Sequence, residues 1–306
     1  MILVTGGTGF IGRNLVRSLV ETGYQVRILL RPSKDSPRLP KGIPVEVAVS
    51  SLSDERGLRA SMKGVNAIFH LASAERDGAR ADLNGVDVQG TAAISRSARD
   101  AGIEKMIFLS HLGADRMSAF PALKAKGIAE NWIINSQVPF TVIRTDAIYG
   151  PGDQFTIPIV QLLRRSLFFT MPADGSALLQ PLGVEDLVTC LLLILESGRW
   201  NNQIVSLGGG EMISYREIVK KIMKVTGKTR PILNLTPAYI RTIALWLDQL
   251  FPRFPMSIYW LDTLAVNRTT QLDVLPKEFG IIPQRFSHNL EYLTQTSITT
   301  LSVSKI

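Results

Sequence analysis

The sequence predicts a doubly wound α/β fold, in which a parallel sheet is flanked by helices and followed by a smaller, mostly helical C-terminal lobe. Two observations predict it. Met1-Ile2-Leu3-Val4 is wholly apolar and passes without a spacer into Thr5-Gly6-Gly7-Thr8-Gly9-Phe10-Ile11-Gly12 and then into an amphipathic stretch, so a buried strand turns directly into a helix. From there to residue 144, short apolar runs alternate with segments of helical period. Such alternation implies parallel strands joined by crossover helices, with a ligand site at the carboxyl ends of the strands.

In the first helix Leu15, Leu19 and Val20 recur at helical spacing, Arg13, Asn14, Arg17 and Glu21 fall between them, and Thr22-Gly23 ends the pattern. Residues 24–30 and 44–49 read as the second and third strands, and 55–62 as a helix. Residues 66–73 form a fourth strand ending in Leu71-Ala72-Ser73. A helix over 91–101, a fifth strand over 104–110, a helix holding Lys124, Lys126 and Glu130, and a sixth strand over 141–144 follow. The regular alternation weakens after a turn at 148–153. Another helix begins at 181–187, a last strand spans 203–207, and 211–306 reads as a mostly helical remainder. The expected division is therefore a nucleotide-binding domain over 1–150, to which 181–210 returns, and a substrate or partner lobe over 151–180 and 211–306.

The glycine spacing carries the chemistry. Gly6 supplies the turn, Gly9 leaves room for a diphosphate to approach the main chain, and Gly12 lets the helix lie close on the strand. Thr8, Phe10 and Ile11 complete the loop, whose unpaired helix-start amides face an anion. A nucleoside-triphosphate loop is excluded, because Arg13 and Asn14 stand where a lysine and a hydroxyl are needed; Gly227-Lys228-Thr229 has Ile222 in place of the leading glycine. The second strand ends in Arg31-Pro32, where a carboxylate selects NAD and a cation favours the extra phosphate of NADP. Arg31, with Arg13 as a second cation, thus predicts NADP(H), with NAD(H) as the alternative. Leu71, Ala72 and Ser73 give the cofactor backbone a small-residue path, and His70 is expected to be a packed histidine.

At 306 residues, 45% hydrophobic and a mean hydropathy of +0.15, the chain has ample core. One cysteine, Cys190, excludes an internal disulfide, and the dispersed His70, His111 and His288 predict no metal centre. A first strand at Met1 leaves no room for a cleaved leader, and the apolar run 187–195 is far short of the roughly 20 residues of a membrane span. The expectation is a cytoplasmic protein. The net charge is +8, and from Arg199 onward 13 Lys and Arg face 7 Asp and Glu. That excess reads as a solvated basic surface or as docking to an acidic partner or the inner face of an anionic membrane; no nucleic-acid module is present. Tyr239, Ile240, Ile243, Leu245, Trp246, Leu247, Leu250 and Phe251, with Arg241 and Arg253, form a segment that either closes the lobe's core or lies on a membrane or larger complex.

The loop at 5–12, His70-Leu71-Ala72, Gly90-Thr91, Arg144 and Tyr149-Gly150-Pro151-Gly152-Asp153 together resemble the extended and atypical short-chain dehydrogenase/reductases. Ser110-His111-Leu112, Lys126 with Glu130, and Tyr215-Arg216-Glu217-Ile218 resemble one branch, the nucleotide-binding accessory subunit of respiratory complex I and its bacterial relatives. The resemblance implies a Rossmann fold, bound NADP(H), a small-molecule substrate in the lobe, and Ser110 at the position of a catalytic serine. It also implies a tyrosine four residues before a lysine. Counted without gaps from Ser110, that pair is Ala122 and Lys126; slipped by two it is Phe120 and Lys124. Neither register supplies a phenol, whose loss typically costs about 10²- to 10⁴-fold in rate. Lys126 still has the position to hold a ribose, and Tyr149 is the remaining phenol candidate. Ser51, followed by Leu52, replaces the family's aspartate near the adenine. The sequence thus predicts an NADP(H)-binding protein without the usual redox chemistry that uses the dinucleotide structurally or as a sensor. Its rivals are an oxidoreductase, epimerase or dehydratase with another proton donor, and an accessory subunit of a membrane-associated complex.

Overall fold

Seven parallel strands form the central sheet of the computed structural model, which describes all residues except 34–38, 40–41, 76, 78–80, 237–238, 241, 243–245, 247–260, 263 and 296–306. The strands are β1 (Ile2–Thr5), β2 (Val26–Leu30), β3 (Glu46–Val49), β4 (Ala67–His70), β5 (Lys105–His111), β6 (Phe140–Thr145) and β7 (Gln203–Ser206). Their order across the sheet is β7-β6-β5-β4-β1-β2-β3. The chain therefore winds outward from β1 to β3 and then crosses to wind the other way from β4. The β1/β4 divide is the crevice where open α/β sheets bind ligands.

The flanking helices are α1 (Phe10–Glu21), α2 (Glu55–Ser61), α3 (Thr91–Asp100), α4 (Pro121–Ile134) and α5 (Val184–Glu196), with a wide π-helical turn, Leu83–Gly90, running straight into α3. Each forms where the sequence gives it an apolar stripe and an end. In α1 Phe10, Leu15, Val16 and Leu19 are buried, while Asp54 caps α2 by accepting from the amides of Arg56 and Gly57. One face of the sheet packs Leu3, Ile68, Met106 and Val142 against Leu58, Ile94, Ala98 and Ile133 of these helices. Each such burial stabilises the fold by about 1.5–3 kcal/mol for a large side chain.

The chain divides into two compact units. The first comprises Met1–Glu75, Asp82–Thr145 and Val184–Leu207 and contains the whole seven-stranded sheet. The second comprises Arg76–Ala81, Asp146–Gly183 and Gly208–Ile306 and has its own core, including Tyr149, Phe155, Leu163, Ile218 and Phe286. Helices Thr156–Arg165 and Tyr215–Thr226 carry that core, the latter started by a Ser214/Glu217 capping box and ended by Gly227 at φ 64. Strands Phe169–Pro172 and Ile232–Leu235 pair in parallel, and Leu178–Leu179 pairs with Ile213–Ser214. The region 211–306 thus contains short strands besides its helical turns. Of the apolar segment at 237–255, Arg241, Ile243, Leu245, Leu247, Leu250, Phe251 and Arg253 lie outside the described residues. Among the described residues no helix is long and apolar enough to cross a membrane.

Candidate functional site

The loop after β1 is shaped by contacts that tolerate only glycine. Gly6 has φ +71, and a Cβ there would lie 2.7 Å from the carbonyl carbon of Leu71 in the loop after β4. A Cβ on Gly12 would meet the Gly6 carbonyl oxygen at 2.2 Å, so α1 begins pressed against its own loop. The Gly9 amide donates to Gly6 O at 3.0 Å, and the Arg13 amide donates to Gly9 O at 2.9 Å. The amides of Phe10, Ile11 and Gly12 precede the first full helical bond. No side chain caps Gly9 and no acidic residue occupies the first turn, so the positive end of α1 is open to an anion. The Phe10 side chain is buried, Thr8 and Ile11 are half-buried and Gly9 is exposed. This bare-backbone cradle, which a Cβ would fill, fits the diphosphate of a dinucleotide.

Around it lie the other expected contacts. Arg13 is half-buried, and its Nη1 donates to the Thr8 carbonyl at 2.8 Å, which draws the guanidinium back over the loop. Arg31 is exposed directly after β2. The hydroxyls of Ser51 and Ser53 hydrogen-bond at 2.8 Å, and Leu52 packs on Gly90, whose Cβ would lie 2.8 Å from Leu52 Cδ1. Leu71, Ala72 and Ser73 are half-buried at the carboxyl end of β4.

Behind this loop His70 is fully buried and hydrogen-bonded at both ring nitrogens, to Thr5 Oγ1 at 2.7 Å and Thr91 Oγ1 at 2.9 Å. Thr91 donates its hydroxyl proton to Asp87 O at 2.6 Å, so it accepts from His70 Nε2–H. Nδ1 then accepts from Thr5, whose oxygen accepts the Ala72 amide at 3.3 Å. His70 is thus a packed, neutral histidine. Burial first, and the Lys126 charge second, lower its pKa to about 3. The native state refuses a proton that the unfolded chain takes up below about 6.5. The stability from the neutral ring is therefore complete above pH 6.5 and is lost as pH falls toward 3, at up to about 1.4 kcal/mol per unit. Urea unfolding of His70→Gln is expected to show a pH slope between 5 and 6 that is shallower by about one proton than in the unaltered protein.

The residues of the expected catalytic positions are committed to partners. Lys126, on α4, is 4% exposed, and its ammonium lies 3.2 Å from Asp87 Oδ1 and 4.0 Å from Glu75 Oε2. The Asp87 carboxylate also accepts the Ser73 hydroxyl at 2.6 Å and the Ala74 amide at 2.9 Å. Glu75 in turn pairs with His111 Nε2 at 2.7 Å. Burial pushes the Lys126 ammonium down, but Asp87, Glu75 and Glu130 outweigh it and hold the pKa above the ordinary lysine value. Lys126 is therefore a fixed cation. Ser110 donates to Glu130 Oε1 at 2.5 Å, and Arg144 grips the same carboxylate at 2.9 and 2.5 Å.

Ala122, one turn before Lys126, is buried, whereas Lys124 is exposed and Phe120 precedes the helix as its N-cap. Only Lys126 of the two lysines faces the protein interior. Tyr149 belongs to the second unit, where it is 2% exposed and its ring meets Phe286 edge-on at 5.0 Å. The carboxylates Glu75 and Asp87 were not expected from sequence. They come from a loop and a π-helical turn without periodicity, and the available signal was indirect: a lysine on the buried stripe of α4 requires acidic partners.

A protein-family model described as NAD(P)H-binding matches residues 6–157. Sterol demethylase protein B of Methylococcus capsulatus is 30% identical over 274 residues, covering 82% of each chain. The mitochondrial NADH dehydrogenase [ubiquinone] 1 alpha subcomplex subunit 9 of Arabidopsis thaliana is 28% identical, covering 71% of this chain and 56% of its own length. Among solved structures, UDP-glucose 4-epimerase of Thermus thermophilus in complex with NAD superposes with a TM-score of 0.72 at 20% identity, over 96% of this chain and 97% of that one.

Proposed function

The chain belongs to the extended and atypical short-chain dehydrogenase/reductase superfamily of NAD(P)-binding proteins, and from that premise we propose that it holds NADP(H) without the Tyr-Lys redox chemistry of its active members, using the dinucleotide structurally or as a sensor. One observation carries this reading: Ala122 stands where the phenol would be, and the lysine one turn on is held by Asp87 and Glu75. The diphosphate goes on the Gly6, Gly9 and Gly12 loop, with Thr8, Phe10 and Ile11 contributing main chain. The adenosine end goes to Arg31, Arg13, Ser51 and Leu52, and the nicotinamide side to Leu71, Ala72, Ser73 and Lys126. When bound, the nicotinamide ring supplies a hydride donor or acceptor. The second unit takes a small-molecule substrate or a protein partner.

Fluorescence titration is expected to give tighter binding of NADPH than NADH, and Arg31→Asp should weaken NADPH roughly tenfold or more while leaving NADH almost unchanged. Preference of the unaltered protein for NADH overturns the assignment of Arg31. Failure to bind either nucleotide overturns the whole reading.

A second reading, an oxidoreductase, epimerase or dehydratase with another proton donor, draws on the His111–Glu75 pair beside Lys126. Ser110 is the weaker donor, because its proton already goes to Glu130. NADPH turnover that His111→Gln abolishes, with nucleotide binding retained, decides for this reading. Docking to a complex at a membrane face is the third, the basic excess favouring an acidic surface and the plant relative being a subunit of a complex.

A further inference from the structure

At one end of the second unit two turns meet. Arg230 Nε donates to Leu163 O at 3.0 Å and to Ser166 O at 2.8 Å, and the Phe169 amide donates to Pro231 O at 2.8 Å. These bonds join the turn at 166–168 to the turn at 227–231, each following the C-terminal end of a helix. Leu167 is 86% exposed and Phe168 is 46% exposed, two consecutive large apolar side chains at the tip. Arg164, Arg165 and Lys228 are exposed beside them, and neither 159–172 nor 218–236 contains a single Asp or Glu. Cations at helix C-termini offset the dipole and are common there. That role does not account for an apolar pair projecting from their midst, which water disfavours and the headgroup boundary of a bilayer accommodates.

We infer that this end of the second unit docks on an anionic lipid surface, Leu167 and Phe168 entering the interface and Arg165 and Lys228 meeting the lipid phosphates. The inference gives the membrane-side reading a definite surface and is independent of the nucleotide. Charge complementarity selects the occupant, since a basic rim built from two segments without a carboxylate is attracted to anionic headgroups.

The test is co-sedimentation of the full chain with vesicles of phosphatidylcholine alone and of phosphatidylcholine mixed with phosphatidylglycerol, at low and high salt. The expected result is pelleting with the anionic vesicles only, reversed by salt as the Debye length shrinks. Arg165→Gln and Lys228→Gln should each lower the partition coefficient roughly fivefold, and Leu167→Asp/Phe168→Asp should abolish it. Urea unfolding of the same variants shows that they are folded. A chain that ignores both vesicle types overturns the inference together with the membrane reading. If the variants pellet as well as the unaltered chain, docking stands but this surface is wrong. If the chain ignores vesicles and binds polyglutamate, an acidic protein is the occupant and the lipid assignment falls.

Discussion

Replacing Gly12 with valine is expected to remove dinucleotide binding and to destabilise the first unit by about 2–4 kcal/mol. The reason is local. A Cβ at this position would lie 2.2 Å from the Gly6 oxygen and 2.7 Å from Gly7 Cα, both main-chain atoms, so no side-chain rotation relieves the overlap. Relief requires α1 to move off the loop, and the amides of Phe10, Ile11 and Gly12 then no longer converge on one anion. Urea unfolding measures the first effect and NADPH fluorescence the second, with an expected loss of at least about 100-fold in affinity, as for several charge-assisted hydrogen bonds lost together. Retention of near-normal affinity by Gly12→Val would show that the cradle is not the binding site.

Lys126→Met should cost about 3–5 kcal/mol, because it leaves the buried carboxylate of Asp87 without its cation. Asp87 is 1% exposed and among the described residues retains the Ser73 hydroxyl and the Ala74 amide as donors. Asp87→Asn instead takes the nearer carboxylate from the ammonium and leaves it Glu75 at 4.0 Å. The double variant Lys126→Met/Asp87→Asn removes both charges and is expected to recover more than half of the loss, since a buried ion pair replaced as a unit is often near neutral. Urea unfolding of the four proteins gives the coupling, and a cycle that is additive within about 0.5 kcal/mol would refute the pairing. NADPH affinity of the double variant separates the roles. If stability returns while affinity stays low, Lys126 also holds the ribose.

How much of this was legible in the sequence depends on whether its cause is local. The β1-loop-α1 unit could be read because each glycine answers a steric demand set by residues within a few positions, Gly12 against Gly6 most directly. The parallel strands could be read because β1, β4 and most of β5 are buried on both faces and so are continuous apolar runs. Between Lys124 and Lys126 the sequence left the register open, and burial distinguishes them only once α4 is packed. The partners of Lys126 were beyond reach. Asp87 and Glu75 sit 39 and 51 positions before it in segments that obey no period, and only the folded sheet brings them together. The short strands Ile213–Ser214 and Ile232–Leu235 were missed because two to four residues are too few to establish an alternation against a helical background.

The hydrogen bonds through His70 run in a single sense, from the Ala72 amide through Thr5, the imidazole and Thr91 to the Asp87 carbonyl. Every hydroxyl along this line gives in one direction and receives from the other, and the ring at its middle resists a second proton until about pH 3. The line is therefore a brace rather than a wire. It clamps the mouth of β4 to the segment that seats Asp87, so that segment cannot drift without dragging the crevice with it.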